Sequence, residues 1–201
     1  MATRAGNCLR SRPVWVNLPV MDTRPGGRRR RTAIVAAPIH TPRLTLEPLR
    51  LDHATEMAEV LGDPALYRYL GGRPPQEEEL RSRYADMLEG SDEPGVRWCN
   101  WIVREDSGQA VGTVQATVGP DIGGLRAVIA WMVGTPWQRR GYAAEASRGM
   151  VEWLHARGVR KVNAHIDPHN EASAAVARGI GLIPTDADYH GETVWTGRPR
   201  F

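Results

Sequence analysis

At 201 residues, the chain is long enough for one two-layer domain with a substantial core. Nowhere does it approach the roughly 18 consecutive apolar residues that a membrane span needs, and its 2 cysteines exclude a disulfide framework. The net charge of +3 is unevenly placed: residues 1–40 carry eight arginines against one acid, Asp22, a balance of +7 that leaves −4 for the other 161 residues.

Residues 1–38 read as a disordered basic extension ahead of one folded domain over 39–201. Pro, Gly and Arg dominate the extension, and Arg28 to Arg31 form a like-charge run that resists burial. A nucleic-acid arm and an Arg-rich transit peptide are its functional readings. The bland reading is an extension left by an early start codon, with Met21 as an internal start. Arginine outnumbers lysine 25 to one, Lys161 being the only lysine, which fits a GC-rich coding sequence and favours the bland reading. The expectation is a cytoplasmic protein, monomer or homodimer, with no membrane or nucleic-acid partner.

Along the chain, Thr41 to Leu49 alternates as a half-buried strand. Asp52 is placed to cap a helix through Leu61, which Gly62-Asp63-Pro64 ends. An acidic first turn at Glu77 to Glu79 opens a second helix, with Leu80, Tyr84, Met87 and Leu88 on its apolar face and Gly90 as its stop. Trp98 to Arg104 and Ala110 to Val118 read as strands joined by the turn Glu105-Asp106-Ser107-Gly108. Ala127 to Val133 is a short apolar run suited to a buried strand. Ala143, Ala146, Met150, Val151 and Leu154 then give one face of a helix. Lys161 to Ile166 is a strand, Asn170 to Arg178 a short helix, and Thr193 to Thr196 a closing strand.

Between the buried strand and the third helix lies Trp137-Gln138-Arg139-Arg140-Gly141-Tyr142-Ala143. A strand–turn–helix junction directs unpaired backbone N–H groups out of a helix N-terminus, at the positive end of its dipole. Gly141 and Ala143 keep the backbone uncrowded. Arg139 and Arg140 add guanidinium groups able to fork onto phosphate. These features make the turn an anion cradle; the bland reading is an ordinary turn with solvated arginines.

The spacing Gln138-x-x-Gly141-x-Ala143 resembles the acetyl-CoA pyrophosphate loop of the GCN5-related N-acetyltransferases (GNAT). Asn170-Glu171-Ala172-Ser173, running on to Gly181-Leu182, is similar to the same family's next segment. The opening Thr41-Pro42-Arg43-Leu44-Thr45-Leu46 and the stretch from Asp63-Pro64 to Tyr69 further resemble the branch containing the ribosomal-protein N-terminal acetyltransferases (RimJ/RimL-like). The resemblance implies an α/β (α+β) fold with a mixed, mostly antiparallel sheet of six to seven strands, flanked by helices and splayed at the fourth strand. It implies acetyl-CoA as co-substrate, no metal, and direct acetyl transfer to a primary amine of a small molecule or a peptide N-terminus. The alternative is a non-catalytic acyl-CoA-binding module.

Roles follow from the resemblance by position. The backbone of Trp131, Met132 and Val133 would pair with the pantetheine arm, and the amides of Gln138, Arg139, Arg140, Gly141, Tyr142 and Ala143 would hold the pyrophosphate. Asn170 would bond the pantetheine chain and Ser173 would sit near the sulfur. Taken singly, Asn170 reads equally well as a helix N-cap, and Ser173 as a solvated small residue. Two family features are missing: Ala177 stands where many members carry an acidic tyrosine, and Val128 where a glutamate is common.

A base must come from elsewhere. Strand alternation puts Asn163, His165 and Asp167 on one face, and the imidazole of His165 titrates near neutrality. Asp167, His169 and Glu145 are weaker candidates. His165, His169 and Asp167 fall too close together in sequence to complete a metal site. Cys99, flanked by Trp98 and Trp101, reads as a buried structural thiol. Trp101 and Trp131 are candidates to line an acceptor pocket, where an aromatic face would receive a cationic amine.

Overall fold

The computed structural model describes residues 34–197. Of the expected extension, residues 1–33 lie outside those described. Residues 34–38 lie against the core: Ile34 is buried, Ala36 and Ala37 pack on the same cluster, and the Trp101 indole donates to the Ala37 carbonyl at 2.8 Å.

Eight strands form one sheet. In chain order they are β1 (Ile39–His40), β2 (Leu44–Pro48), β3 (Arg97–Glu105), β4 (Ala110–Asp121), β5 (Gly124–Val133), β6 (Val159–Ile166), β7 (Ile183–Tyr189) and β8 (Glu192–Gly197). Their spatial order is β1-β2-β3-β4-β5-β6-β8-β7. Every neighbouring pair is antiparallel except β5 and β6. The expected mixed, mostly antiparallel sheet is therefore present, with two short additions at its edges. At one edge, the Thr41 amide and hydroxyl both donate to the Leu44 carbonyl, so Thr41 to Arg43 is a turn and the expected first strand becomes the hairpin β1–β2. At the other, β7 is mostly exposed and contains Pro184, a composition an outer strand tolerates but a sequence pattern does not announce.

Four helices cover the two faces: α1 (His53–Val60), α2 (Glu77–Glu89), α3 (Tyr142–Ala156) and α4 (Glu171–Gly179). One core lies under α3 and α4. Its centre is Trp101, fully buried, packed edge-on against Trp153 with ring centroids 5.2 Å apart. The other core lies under α1 and α2 and is built on Met57, Leu80, Tyr84 and Ile102. Cys99 is buried in the first core, where desolvation pushes its thiol up to about 11, too high for a nucleophile at neutral pH.

Three expectations are corrected. Asp52 sits at the start of α1 without capping it, because Arg50 takes its carboxylate at 3.0 Å. Leu88 is half exposed; Met87 alone of that pair faces inward. Trp101, far from lining an acceptor pocket, is sealed in the core.

The α1 layer is pinned by charge. Arg104 on β3 donates to Glu47 of β2 at 2.6 Å and to Glu56 of α1 at 2.9 Å, joining helix to sheet. His53, fully buried beside them, accepts the Arg50 backbone N–H at its Nδ1 at 3.1 Å. Between β3 and β4 the register slips at Val103/Arg104, which leaves Val111 as a bulge. At the neighbouring Gly112, a Cβ would collide with the backbone carbonyl of Met132, so only glycine lets β4 cross this close to β5.

Candidate active site

The parallel pairing of β5 with β6 covers only Leu125 to Val128, ending at Val128↔Asn163. Beyond it, β6 continues to Ile166 paired with β8, while β5 continues to Val133 paired with β4. The two strands therefore part after Val128, and the fourth strand of the sequence reading, here β5, is the splayed one. A cleft opens in the gap. It is lined by Ile129, Ala130 and Trp131 of β5, Ala164 to Ile166 of β6, Asp167, Asn170 and Ser173 beyond it, Tyr69 and Leu70, and Glu192 of β8.

The cradle follows β5 in the chain. After Val133, a short 3-10 turn (Thr135–Trp137) leads to Gln138, whose side-chain amide returns to the Val133 carbonyl at 3.0 Å. Arg139 has φ 63° and Gly141 has φ 82°, so two left-handed residues flank Arg140. Alternating backbone hands turn successive N–H groups toward one side, forming an anion-binding nest. The first helical hydrogen bond runs from Glu145 N to Gly141 O. The amides of Tyr142, Ala143 and Ala144 precede it and belong to the orphan donors of the helix start.

A second layer fixes the nest. Glu145 accepts from the Thr41 hydroxyl at 2.7 Å, from the Arg43 backbone at 2.9 Å and from Arg43 Nε at 2.7 Å. Arg43 also donates to the Arg140 carbonyl at 3.1 Å and lies over the Tyr142 ring, 5.1 Å from its centroid. The Tyr142 hydroxyl is held by Glu105 at 2.9 Å. Burial alone would push the Glu145 carboxyl up, but the hydrogen bonds from Thr41 and Arg43 outweigh it and hold the group below its ordinary value. Glu145 is thus an ionised anchor for the β1–β2 turn, and its engagement takes it out of the running as a base.

Sequence-predicted residues meet in the cleft. Asn170 caps α4 by accepting the Ser173 N–H at 3.0 Å, and Ser173 lines the cleft one turn inside that helix. His165 stacks on Tyr189, with ring centroids 4.5 Å apart; burial, then the charges of Arg126 and His190, hold its pKa below the usual value. His169 is exposed and lies off the cleft, its backbone N–H bonded to Asp167. Ala177 is fully buried in the core, so no side chain there reaches the cleft. Among the described residues, no three His, Cys, Asp or Glu side chains gather as a metal site.

Sequence reasoning missed Glu192. It lines the same cleft as Ser173, and burial, then the neighbouring Asp167 charge, raise its pKa. Nothing in the local pattern Gly191-Glu192-Thr193 marks it; only the hairpin of β7 and β8, which returns the chain beside β6, brings it in.

A second cavity adjoins the first and shares Leu70, Ala130 and Trp131 with it. It lies on the α1/α2 side of the sheet, under Leu61, Tyr84 and Met87.

The splayed parallel pair, the anion nest at the next helix and the polar cleft between them define an acyltransferase architecture. The chain belongs to the GNAT family of acetyltransferases, whose domain profile matches residues 43–183. It is similar in structure to a GNAT-family acetyltransferase from Bacillus anthracis, with 18% identity, 81% of this chain and 99% of that one covered, and a TM-score of 0.66. It is similar, too, to RimL, a ribosomal L7/L12 α-N-protein acetyltransferase in complex with coenzyme A (17% identity, 81% and 98% covered, TM-score 0.68). A third likeness is to the aminoglycoside acetyltransferase AAC(6')-Ib in complex with coenzyme A (15%, 77% and 94%, TM-score 0.64). At these identities the likeness is one of fold. No curated protein matches the chain in sequence.

Proposed function

We propose that this enzyme transfers an acetyl group from acetyl-CoA directly to a primary amine, in the manner of the ribosomal-protein N-terminal acetyltransferase branch. One observation carries the reading: Ser173, His165 and Glu192 line a single cleft at the gap where β6 leaves β5, and the chain leaving β5 runs on into the left-handed turn of Arg139 and Gly141. Acetyl-CoA supplies an activated acetyl thioester. The β5 backbone around Trp131 and Met132, on the side that β6 leaves, suits an extended amide chain, and the Val133 carbonyl beyond it is already taken by Gln138. The nest from Gln138 to Ala143, with Arg139 and Arg140 at its rim, suits a pyrophosphate. The Asn170 amide, oriented by its cap, faces the same path.

In the transfer, the amine nitrogen bonds to the acetyl carbon, the carbon–sulfur bond breaks, and one proton leaves the nitrogen while the thiolate gains one. The Ser173 hydroxyl is placed to donate to the departing sulfur. The proton acceptor is Glu192 or His165. Burial shifts their pKa values in opposite directions, Glu192 up and His165 down, so it makes the carboxylate a stronger base and keeps the imidazole in its neutral, proton-accepting form. Glu192 is favoured, because a carboxylate in the cleft also pairs with the incoming ammonium, which a neutral imidazole does not. A non-catalytic acyl-CoA-binding module is the second reading, favoured by the buried Ala177 and Val128, which leave two family positions without acid or base.

Thermal unfolding with and without acetyl-CoA tests the donor. At about 100 times its dissociation constant the ligand adds roughly 2.7 kcal/mol. The shift should vanish in a folded Arg139→Glu, Arg140→Glu, Gly141→Asp variant. Absence of any shift at saturating acetyl-CoA would sink the proposal; a shift without thiol release across a broad amine panel would leave the binding module.

A further inference from the structure

We infer that the acceptor is a primary amine carrying an apolar or aromatic group next to its nitrogen, and that this group lies in the cavity beneath α1 and α2. The inference rests on the acetyltransferase reading above and specifies its second substrate.

The cavity is open at its mouth and lined mostly by aliphatic and aromatic side chains, a lining suited to an apolar group. Because it shares Leu70, Ala130 and Trp131 with the reaction cleft, a group seated in it holds an attached nitrogen beside Ser173 and Glu192. The two compartments differ sharply in charge. The reaction cleft carries Asp167, Glu192 and His165, whereas no Asp, Glu, His, Lys or Arg lines the cavity. Its walls are Leu49, Leu61 and Met87 with the rings of Tyr67 and Tyr84.

Even its polar groups are neutral, and several are engaged. The Tyr67 hydroxyl donates to the Leu61 carbonyl at 3.1 Å, and the Thr113 hydroxyl to the Trp101 carbonyl at 2.8 Å. On the floor, Asn100 of β3 stands in register with Gln115 of β4, and Gln115 with Ala130 of β5. That row adds neutral side chains to the floor and no counter-charge. An acceptor with several ammonium groups would carry an unpaired cation into the cavity, against a large desolvation penalty. Apolar surface entering the same space is favoured. The charge pattern thus selects monoamines and rejects polyamines and amino sugars.

The test is initial-rate measurement of thiol release at saturating acetyl-CoA with phenylethylamine, phenylalaninamide and leucinamide, against spermidine and kanamycin. The apolar monoamines should exceed the polycations by roughly tenfold or more in kcat/KM. A Leu70→Glu variant, which adds a carboxylate where the two compartments meet, should narrow or reverse that ratio while acetyl-CoA still raises its Tm. Faster turnover of spermidine or kanamycin by the wild-type protein overturns the inference. So does turnover of no apolar monoamine by protein that acetyl-CoA stabilises. Failure of acetyl-CoA to stabilise the protein would instead remove the reading beneath it, and this inference with it.

Discussion

Arg43 belongs to the β1–β2 turn, far in sequence from the cradle, yet replacing it with alanine should loosen the cradle measurably. Its side chain ion-pairs with Glu145 at 2.6 Å, donates to the Arg140 carbonyl at 3.1 Å and covers the Tyr142 ring. The carboxylate is mostly buried, with its side chain 13% exposed, but the guanidinium is 50% exposed and solvent screens much of the pairing. Glu145 also keeps Thr41 and the Arg43 backbone as donors. The cost to folding is therefore about 1–2 kcal/mol, well below that of an orphaned buried charge. For a domain of this size that lowers Tm by about 2–8 °C. Loss of the Arg140 tether also costs preorganisation, so the Kd for acetyl-CoA should rise about three- to tenfold.

Acidity supplies an independent check. The Glu145 pKa is depressed in the folded protein, so its contribution is complete above the ordinary carboxylate value and lost as pH falls through the depressed one. The stability gap between wild type and Arg43→Ala should shrink over that acidic window. Calorimetry across pH, with isothermal titration of acetyl-CoA and a double-mutant cycle with Glu145→Gln, measures all three effects. Equal Tm and equal Kd at neutral pH, or a gap undiminished in acid, would refute the reasoning.

Three further outcomes are expected. Glu192→Gln should lower kcat by about 100-fold or more and abolish the acidic limb of the pH–rate profile. In the wild type that limb lies above the ordinary glutamate range, because the Glu192 pKa is raised, and the rate falls as the carboxylate protonates; a limb unchanged in Glu192→Gln but lost in His165→Ala would assign the base to His165. Arg104→Met should cost about 1–2 kcal/mol in denaturant unfolding, because Glu47 and Glu56 lose their shared cation while both stay partly exposed and Glu47 keeps Arg50; a change within about 0.5 kcal/mol, the roughly neutral range for surface substitutions, would show that the pin is idle. Gly112→Ala should cost about 3 kcal/mol or more, since its Cβ would strike the Met132 backbone rather than a movable side chain; a wild-type Tm would refute that.

The folding elements legible in the sequence were those with strong periodicity. The run at Ala127 to Val133 and the stripe from Ala143 to Leu154 became β5 and α3, and the turn between them contains the nest. The hairpin β1–β2 was hidden because Thr41 and Arg43 look like strand residues until Glu145, about a hundred positions away, takes their donors. Asp52 failed as a cap for a similar reason: a nearby arginine competed for the same oxygens. Glu192 was illegible altogether, since its burial and its neighbour Asp167 come from hairpin closure and not from local pattern. Trp101 and Trp131 look alike in sequence. One odd-numbered strand position on β3 faces a sealed core, and the other, on β5, borders the gap left by β6.

The short seam between β5 and β6 has a mechanical meaning. Only four residue pairs stitch the block containing β6, β7 and β8 to the block from β1 to β5 along the sheet. Elsewhere the two blocks are bridged by α3 and α4, through side-chain packing and not through backbone hydrogen bonds. A ligand lying along β5 beyond Val128, as proposed, would work as a removable ninth strand, closing the seam each time it binds and reopening it each time it leaves. Backbone amide exchange from Ile129 to Val133 would then slow on binding and recover on release, so the catalytic cycle would be written in the stiffness of the sheet itself.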